Sequence, residues 1–286
     1  MEWINKRRIL IVGLGLMGGS YAKALKRLGY HVSAIDNNED SINYATENEI
    51  IDAGAVTCDK ELISQADTII FALYPRLIVE WIKDNQMYFK KGIILTDVTG
   101  IKNNIVYEIQ DVLREDVEFI AAHPMAGREL SGVRNSDDRI FRDANYIVVP
   151  TDKNTEEAIE WCKNLGQILG VKKVSVLSPA EHDRMIAYVS QLTHCIAVAL
   201  MTCNDDSRLS DYTGDSFRDL TRIARINEDM WTELFFMNKD ALLEQMNDFI
   251  NELSTIRDYI KNEDAANLKA KMRLSIQRRK KFDKTL

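Results

Sequence analysis

The chain has 286 residues, of which 45% are hydrophobic and 28% charged, with a formal net charge of −7. That length predicts two domains, each able to bury its own core, and the ordinary composition excludes a disordered or fibrous chain. The acidic balance argues against nucleic acid as a partner, because neutralising phosphates needs a basic face.

Charge at Lys6, Arg7 and Arg8 precedes a short apolar run, Ile9 to Val12, which is too short for a signal peptide or a membrane span. A cytoplasmic protein with no membrane partner is expected. Cys58, Cys162, Cys195 and Cys203 show no paired spacing, which argues against both a disulfide framework and a structural zinc site. From there to residue 176, apolar runs of strand length at 8–12, 31–36, 68–72, 92–97, 117–122, 145–149 and 173–176 alternate with helical periodicity at 16–28, 40–48, 75–88, 102–113 and 155–169. This βαβ repetition predicts an α/β, doubly wound parallel sheet with right-handed crossovers.

At Ser178-Pro179-Ala180-Glu181 the strand signal stops. A serine N-cap, a proline at the first helical position and an acidic first turn announce a long helix reaching about residue 202. Further helices are expected at 217–226, 229–253 and 265–282, the last with a solvated basic side from Lys269 to Lys284. The expected organisation is therefore an α/β domain over 1–176 and an all-α domain over 177–286, meeting at a packed junction where a ligand cleft commonly forms.

Gly13-Leu14-Gly15-Leu16-Met17-Gly18 matches GxGxxG, directly after the first strand and at the start of the first helix. That is the context of a Rossmann dinucleotide site: Gly13 makes the turn, Gly15 admits the pyrophosphate, Gly18 lets helix and strand pack, and the N–H groups around Leu16 and Met17 face the phosphates. Asp36 ends the second strand, 18 residues on, where a carboxylate accepts hydrogen bonds from ribose hydroxyls and repels a 2′-phosphate. NAD rather than NADP is the expected cofactor. The competing reading of Asp36 is a plain turn-forming carboxylate.

Among the four histidines, His31 opens a strand and reads as structural. His182, between Glu181 and Asp183, reads as solvated or ion-paired. His123 differs, because it follows the strand 117–122 at the carboxyl end where open α/β sheets bind ligands. His194 shares a helix face with Ser190, four residues earlier. No HExxH or Cys/His cluster at ligand spacing indicates a metal.

Gly-Leu-Gly-Leu-Met-Gly-Gly-Ser at 13–20, His-Pro-Met-Ala-Gly-Arg-Glu at 123–129, Ser-Gln-Leu-Thr-His at 190–194 and Phe-Arg-Asp-Leu-Thr-Arg-Ile-Ala at 217–224 together resemble the prephenate dehydrogenase family of tyrosine biosynthesis. The resemblance implies NAD-dependent oxidative decarboxylation of prephenate to 4-hydroxyphenylpyruvate. His123 matches the family's proton-accepting histidine, a task suited to imidazole. Arg222 matches the arginine that anchors a substrate carboxylate, for which a planar, permanently charged fork is well suited. Ser190 and His194 match residues lining the substrate pocket, and Glu129, Asp219 and Trp231 match residues at its mouth and the partner contact. A two-fold homodimer through the helical domain is also implied.

Three departures stand out. Thr96-Asp97-Val98-Thr99-Gly100-Ile101-Lys102 falls where the family often has Gly-Ser, so a hydroxyl that would contact the histidine or substrate is displaced, and Thr99 is the candidate replacement. Gln191 stands where many relatives carry a second histidine, and Asp215-Ser216 replace part of a glycine-rich turn. These bear on the choice between prephenate and its aminated relative arogenate. Two other classes stay open. One is another hydride-transfer enzyme of this two-domain plan, such as a 3-hydroxyacid dehydrogenase or imine reductase, although 190–194 contains no catalytic lysine. The other is a noncatalytic NAD-responsive binding protein.

Overall fold

The computed structural model describes residues 7–128 and 130–282. Six strands, β1 (Arg8–Val12), β2 (His31–Ile35), β3 (Ala53–Ala55), β4 (Thr68–Phe71), β5 (Ile94–Asp97) and β6 (Glu118–Phe119), form a parallel sheet in the order β3-β2-β1-β4-β5-β6. That order reverses between β1 and β4, and the crevice above this switch point is where open α/β sheets take ligands.

Both sheet faces are covered, so the strands are continuously apolar rather than alternating. Ile9 and Ile11 of β1 pack with Tyr21, Leu25 and Trp161 on one face. Leu10 and Val12 pack with Ile78, Ile82, Ile105 and Ile109 on the other. β3 escapes the pattern because Ala53-Gly54-Ala55 offers no β-branched residue. Gly54 is nonetheless demanded, since a Cβ there would stand 2.8 Å from Ile42 and 2.9 Å from Ile51.

The expected strand at 117–122 is two strands. After β6, the Ile120 N–H still bonds the Leu95 carbonyl at 3.0 Å, and the Ala122 N–H then turns to the Asp97 carboxylate at 3.2 Å. The chain thereby leaves the parallel sheet and enters a second sheet, in which β7 (Ala121–Pro124) pairs antiparallel with β8 (Asn145–Val149) and β8 pairs parallel with β9 (Lys173–Val176). His123 consequently lies within β7, opposite Ile147, rather than in a loop after the strand.

Ser178 caps the next helix with a complete capping box: its hydroxyl accepts the Glu181 N–H while the Glu181 carboxylate accepts the Ser178 N–H. The helical stretch Pro179–Thr202 is long and apolar enough, by length and composition, to cross a membrane. Its first turns bury Pro179, His182, Asp183 and Ile186 within the protein. One wider π turn, Ala187–Gln191, interrupts it, a feature frequent at functional sites. The helix expected over 229–253 is broken at Asn238, whose side chain donates to the Asp183 carbonyl (2.9 Å) and to Gln191 Oε1 (2.7 Å).

By packing, the chain divides into two compact units, Met1–Asn238 and Lys239–Leu286. Within the second, helices Lys239–Lys261 and Ala265–Arg279 pack on each other, with a Lys271–Glu252 ion pair at 2.8 Å between them. Leu243, Ile250, Leu253, Ile260, Met272 and Ile276 of these helices are exposed.

Candidate active site

The turn after β1 is built around two glycines that tolerate no side chain. Gly13 has φ +94°, and a Cβ on it would stand 2.4 Å from the Ala72 carbonyl oxygen. A Cβ on Gly18 would stand 1.9 Å from the Gly13 carbonyl oxygen, so helix Leu16–Arg27 approaches the turn at backbone contact. Gly15 meets nothing within 4 Å and is the N-cap of that helix. It supplies no capping side chain, and the first turn, with Leu16 and Met17, holds no acidic residue. The helix start thus presents its N–H groups and positive dipole end to a cradle shaped for phosphate. Asp36 accepts the Leu14 N–H with one carboxylate oxygen and the Asn38 N–H (2.8 Å) with the other. It fixes the turn and leaves lone pairs at the end of β2 for ribose hydroxyls. These residues fit a dinucleotide.

A second cluster surrounds His123. Its Nδ1 lies 2.9 Å from Nε2 of His182, whose Nδ1 lies 2.7 Å from Asp183 Oδ1. The Asp183 carboxylate also accepts the N–H groups of Lys102 (2.9 Å) and Asn103 (2.7 Å), at the start of helix Asn103–Val112. Lys102 is fully buried, with an ammonium that donates to Asp97 (2.5 Å), the Ala122 carbonyl (2.7 Å) and Thr99 Oγ1 (3.1 Å). Burial is the main cause that holds both imidazoles below their usual titration range, His123 strongly so, with the Lys102 charge adding in each case. Burial also lowers the Lys102 ammonium, opposed by Asp97. The outcome is a neutral, half-buried His123 next to a compensated buried ion pair.

The sequence reading missed His182, Asp183, Lys102 and Asp97. Of the two readings of His182, solvated or ion-paired, the structure excludes the first: it has 0% exposure, its Nδ1 lies against the Asp183 carboxylate, and its other nitrogen faces His123. Helical spacing carried the signal, because His182 lies four residues before the buried Ile186 and so faces the interior with it. Thr99 is also corrected. Its hydroxyl donates to the Asp97 carboxylate beneath the site and accepts from Lys102, which leaves it no hydrogen to offer a substrate. Gly100 takes the place beside the histidine instead: a Cβ there would lie 3.9 Å from His123 Cε1 and 3.8 Å from Leu234.

On the long helix, His194 Nδ1 donates to the Ser190 carbonyl at 2.9 Å, and its ring lies on Trp231 with centroids 3.7 Å apart. Gln191 is buried and structural, donating to the Leu234 carbonyl at 2.9 Å and accepting from Asn238. Arg222 begins a tight turn, Arg222–Ala224, that packs on helix Leu192–Thr202, which carries His194. Asp219 is exposed on helix Asp215–Thr221, and Glu129 lies outside the described residues.

Comparison with known proteins adds to this geometry. The family model "Prephenate dehydrogenase, nucleotide-binding domain" matches residues 21–176, and "Prephenate dehydrogenase, dimerization domain" matches residues 178–274. The chain is similar to the prephenate dehydrogenase of Bacillus subtilis, with 32% identity over 270 residues covering 92% of this chain and 72% of that one. It is similar to the cyclohexadienyl dehydrogenase of Zymomonas mobilis, at 27% identity over 90% of each chain. Among solved structures, it is similar to prephenate dehydrogenase from A. aeolicus in complex with hydroxyphenyl propionate and NAD+. That match has a TM-score of 0.89 and 29% identity, covering 99% of this chain and 100% of that one.

Proposed function

The chain belongs to the prephenate dehydrogenase family, and from that premise we propose how its residues carry out the reaction. It is an NAD-dependent oxidoreductase that converts prephenate to 4-hydroxyphenylpyruvate and CO2. Gly13, Gly15, Leu16, Met17, Gly18 and Asp36 would hold NAD+, which would supply the acceptor for a hydride from the ring carbon that bears the 4-hydroxyl.

His123 takes the 4-hydroxyl proton as that hydride departs. The ring carboxylate leaves as CO2, its bonding electrons complete the aromatic ring, and the resulting phenolate oxygen recovers the proton from His123. No net proton is released, so the imidazole must act as base and then as acid within one turnover. Arg222 anchors a substrate carboxylate through a charge-assisted fork. Ser190, with His194 on its Trp231 platform, lines the pocket, and Asp219 stands at its mouth. Thr99 serves the site indirectly, by holding Asp97 and Lys102.

The observation that carries the assignment is His123, a neutral and half-buried imidazole in a chain that aligns over nearly its whole length with a dehydrogenase bound to NAD+ and a substrate-like acid. Purified protein mixed with NAD+ and prephenate is expected to generate NADH. His123→Asn should lower kcat by about 10^2–10^4 while NAD+ affinity stays close to that of the parent. Retained turnover in that variant would remove His123 from its role. Arg222→Ala should raise the substrate KM by roughly ten- to a hundredfold, the worth of a hydrogen bond between charged groups. Running the same assays with arogenate fixes the side-chain preference.

The proposal includes a functional division at 176/177, supported by the boundary between the two family models. It also includes a two-fold homodimer, supported by the dimerization-domain match over 178–274 and by the exposed apolar residues of helices Lys239–Lys261 and Ala265–Arg279. Sedimentation gives the oligomeric state. A cytoplasmic location is supported by four cysteines that stand as free thiols, as a reducing compartment keeps them, and fractionation of cells tests it.

A further inference from the structure

We infer that His182 and Asp183 are positioning residues that fix the tautomer of His123, so that Nε2 is its proton-accepting atom. The inference rests on the assignment of His123 as the base, and it follows from which groups are able to donate.

The Asp183 carboxylate only accepts. Two of its lone pairs are filled by the backbone N–H groups of Lys102 and Asn103, which hold it at the positive end of helix Asn103–Val112. Its short contact to His182 therefore requires a hydrogen on His182 Nδ1. A neutral His182 then has only a lone pair at Nε2, and that atom faces His123 Nδ1 at 2.9 Å. Two lone pairs cannot share a hydrogen bond, so His123 Nδ1 carries the hydrogen and Nε2 is left open to accept one. The alternative, a doubly protonated His182, would put a cation with 0% exposure close to the Lys102 ammonium.

This order of donors has a catalytic consequence. When Nε2 takes the substrate proton, the positive charge of His123 is delocalised onto Nδ1, whose hydrogen bond to His182 strengthens. The fixed carboxylate of Asp183 stabilises that charge one ring away, and the proton stays at Nε2, from which it returns to the phenolate oxygen. A base oriented by a second group, itself oriented by a carboxylate, is the general logic of an activated catalytic centre. Here the second group is another imidazole.

Asp183→Asn tests it. With its oxygen kept on the Asn103 N–H, the amide gives up the Lys102 N–H and turns an NH2 toward His182, which reverses both tautomers and places a hydrogen on His123 Nε2. The expected result is a fall in kcat of about 10^2–10^4 with little change in substrate KM or NAD+ affinity. Nitrogen-15 NMR of the imidazoles reads the device without turnover. The parent should show His123 with protonated Nδ1 and bare Nε2, and Asp183→Asn should show the opposite. A parent with hydrogen on His123 Nε2, or an Asp183→Asn variant with unchanged tautomer and unchanged kcat, overturns the inference. The parent spectrum decides even if the variant does not fold. Loss of the base assignment registers separately, as retained turnover in His123→Asn.

Discussion

The glycine turn and the histidine pocket handle charge in opposite ways. The turn holds no cationic side chain and works by omission: Gly15 leaves space, the first helical turn carries no carboxylate, and bare N–H groups face the ligand. The pocket works by saturation. Asp97, Lys102, Asp183 and His182 are all buried, and each polar contact is answered by another group. A site made of backbone accepts a large, shared ligand with little specificity. A site made of interlocked side chains fixes one proton at one atom, and its cost is that no member can be removed alone.

The sharpest way to break the comparison is to remove one member. Lys102→Met keeps the length of the side chain and deletes the ammonium, which leaves Asp97 buried without its partner. Removing one side of a buried pair costs about 3–5 kcal/mol, so the midpoint of urea unfolding should drop accordingly while the residual folded protein still binds NAD+. A variant as stable as the parent would show that the pair is an ornament of the pocket rather than its frame. The matching change in the turn is Gly18→Ala. Its Cβ would stand 1.9 Å from the Gly13 carbonyl oxygen, which is backbone and cannot swing aside. Helix Leu16–Arg27 must shift, at a cost on the order of 1–3 kcal/mol. Here the loss should appear in NAD+ affinity measured by calorimetry, with the His123 tautomer untouched.

The same contrast explains what could be read from the chain before folding. The turn lies within six consecutive residues, Gly13 to Gly18, with Asp36 at the next strand end, so local pattern contained it. The parallel sheet and its helices were legible for the same reason, since apolar runs such as Ile9–Val12 and Thr68–Ala72 are local signals. The second sheet was not, because the switch after Ile120 depends on Asp97, 23 residues earlier, capturing the Ala122 N–H. The pocket failed most clearly. Lys102 reads as the charged start of a helix, and only tertiary packing on Asp97 and Asp183 sends it inside. His182 sits between two carboxylates and looks solvated until its alignment with Ile186 is weighed above its neighbours' charge.

The smallest expected effect is in pH, and it separates the two regions without any substitution. His123 and His182 are both held below 6.5, chiefly by burial, and the groups facing them are each other, the Lys102 ammonium and the carboxylates of Asp97 and Asp183. Above pH 6.5 neither the folded nor the unfolded chain protonates these rings, so they leave stability unaffected. As pH falls below 6.5 the unfolded chain takes up protons that the folded chain refuses, and stability is lost by up to about 1.4 kcal/mol per pH unit for each ring. Ion-paired carboxylates cannot mimic this, because Asp52 and Asp67 are lowered from 3.8, so the stability they contribute is full above that value and is lost only below it. Between pH 6.5 and 4.5, therefore, Tm should decline, and His182→Gln should decline with about half the slope. The acid limb of kcat/KM should fall below 6.5 as well, because a neutral His123 persists there. NAD+ affinity, which depends on backbone N–H groups that do not titrate, should hold nearly constant across that window. A parallel loss of NAD+ binding and stability would mean that the two regions are one cooperative site.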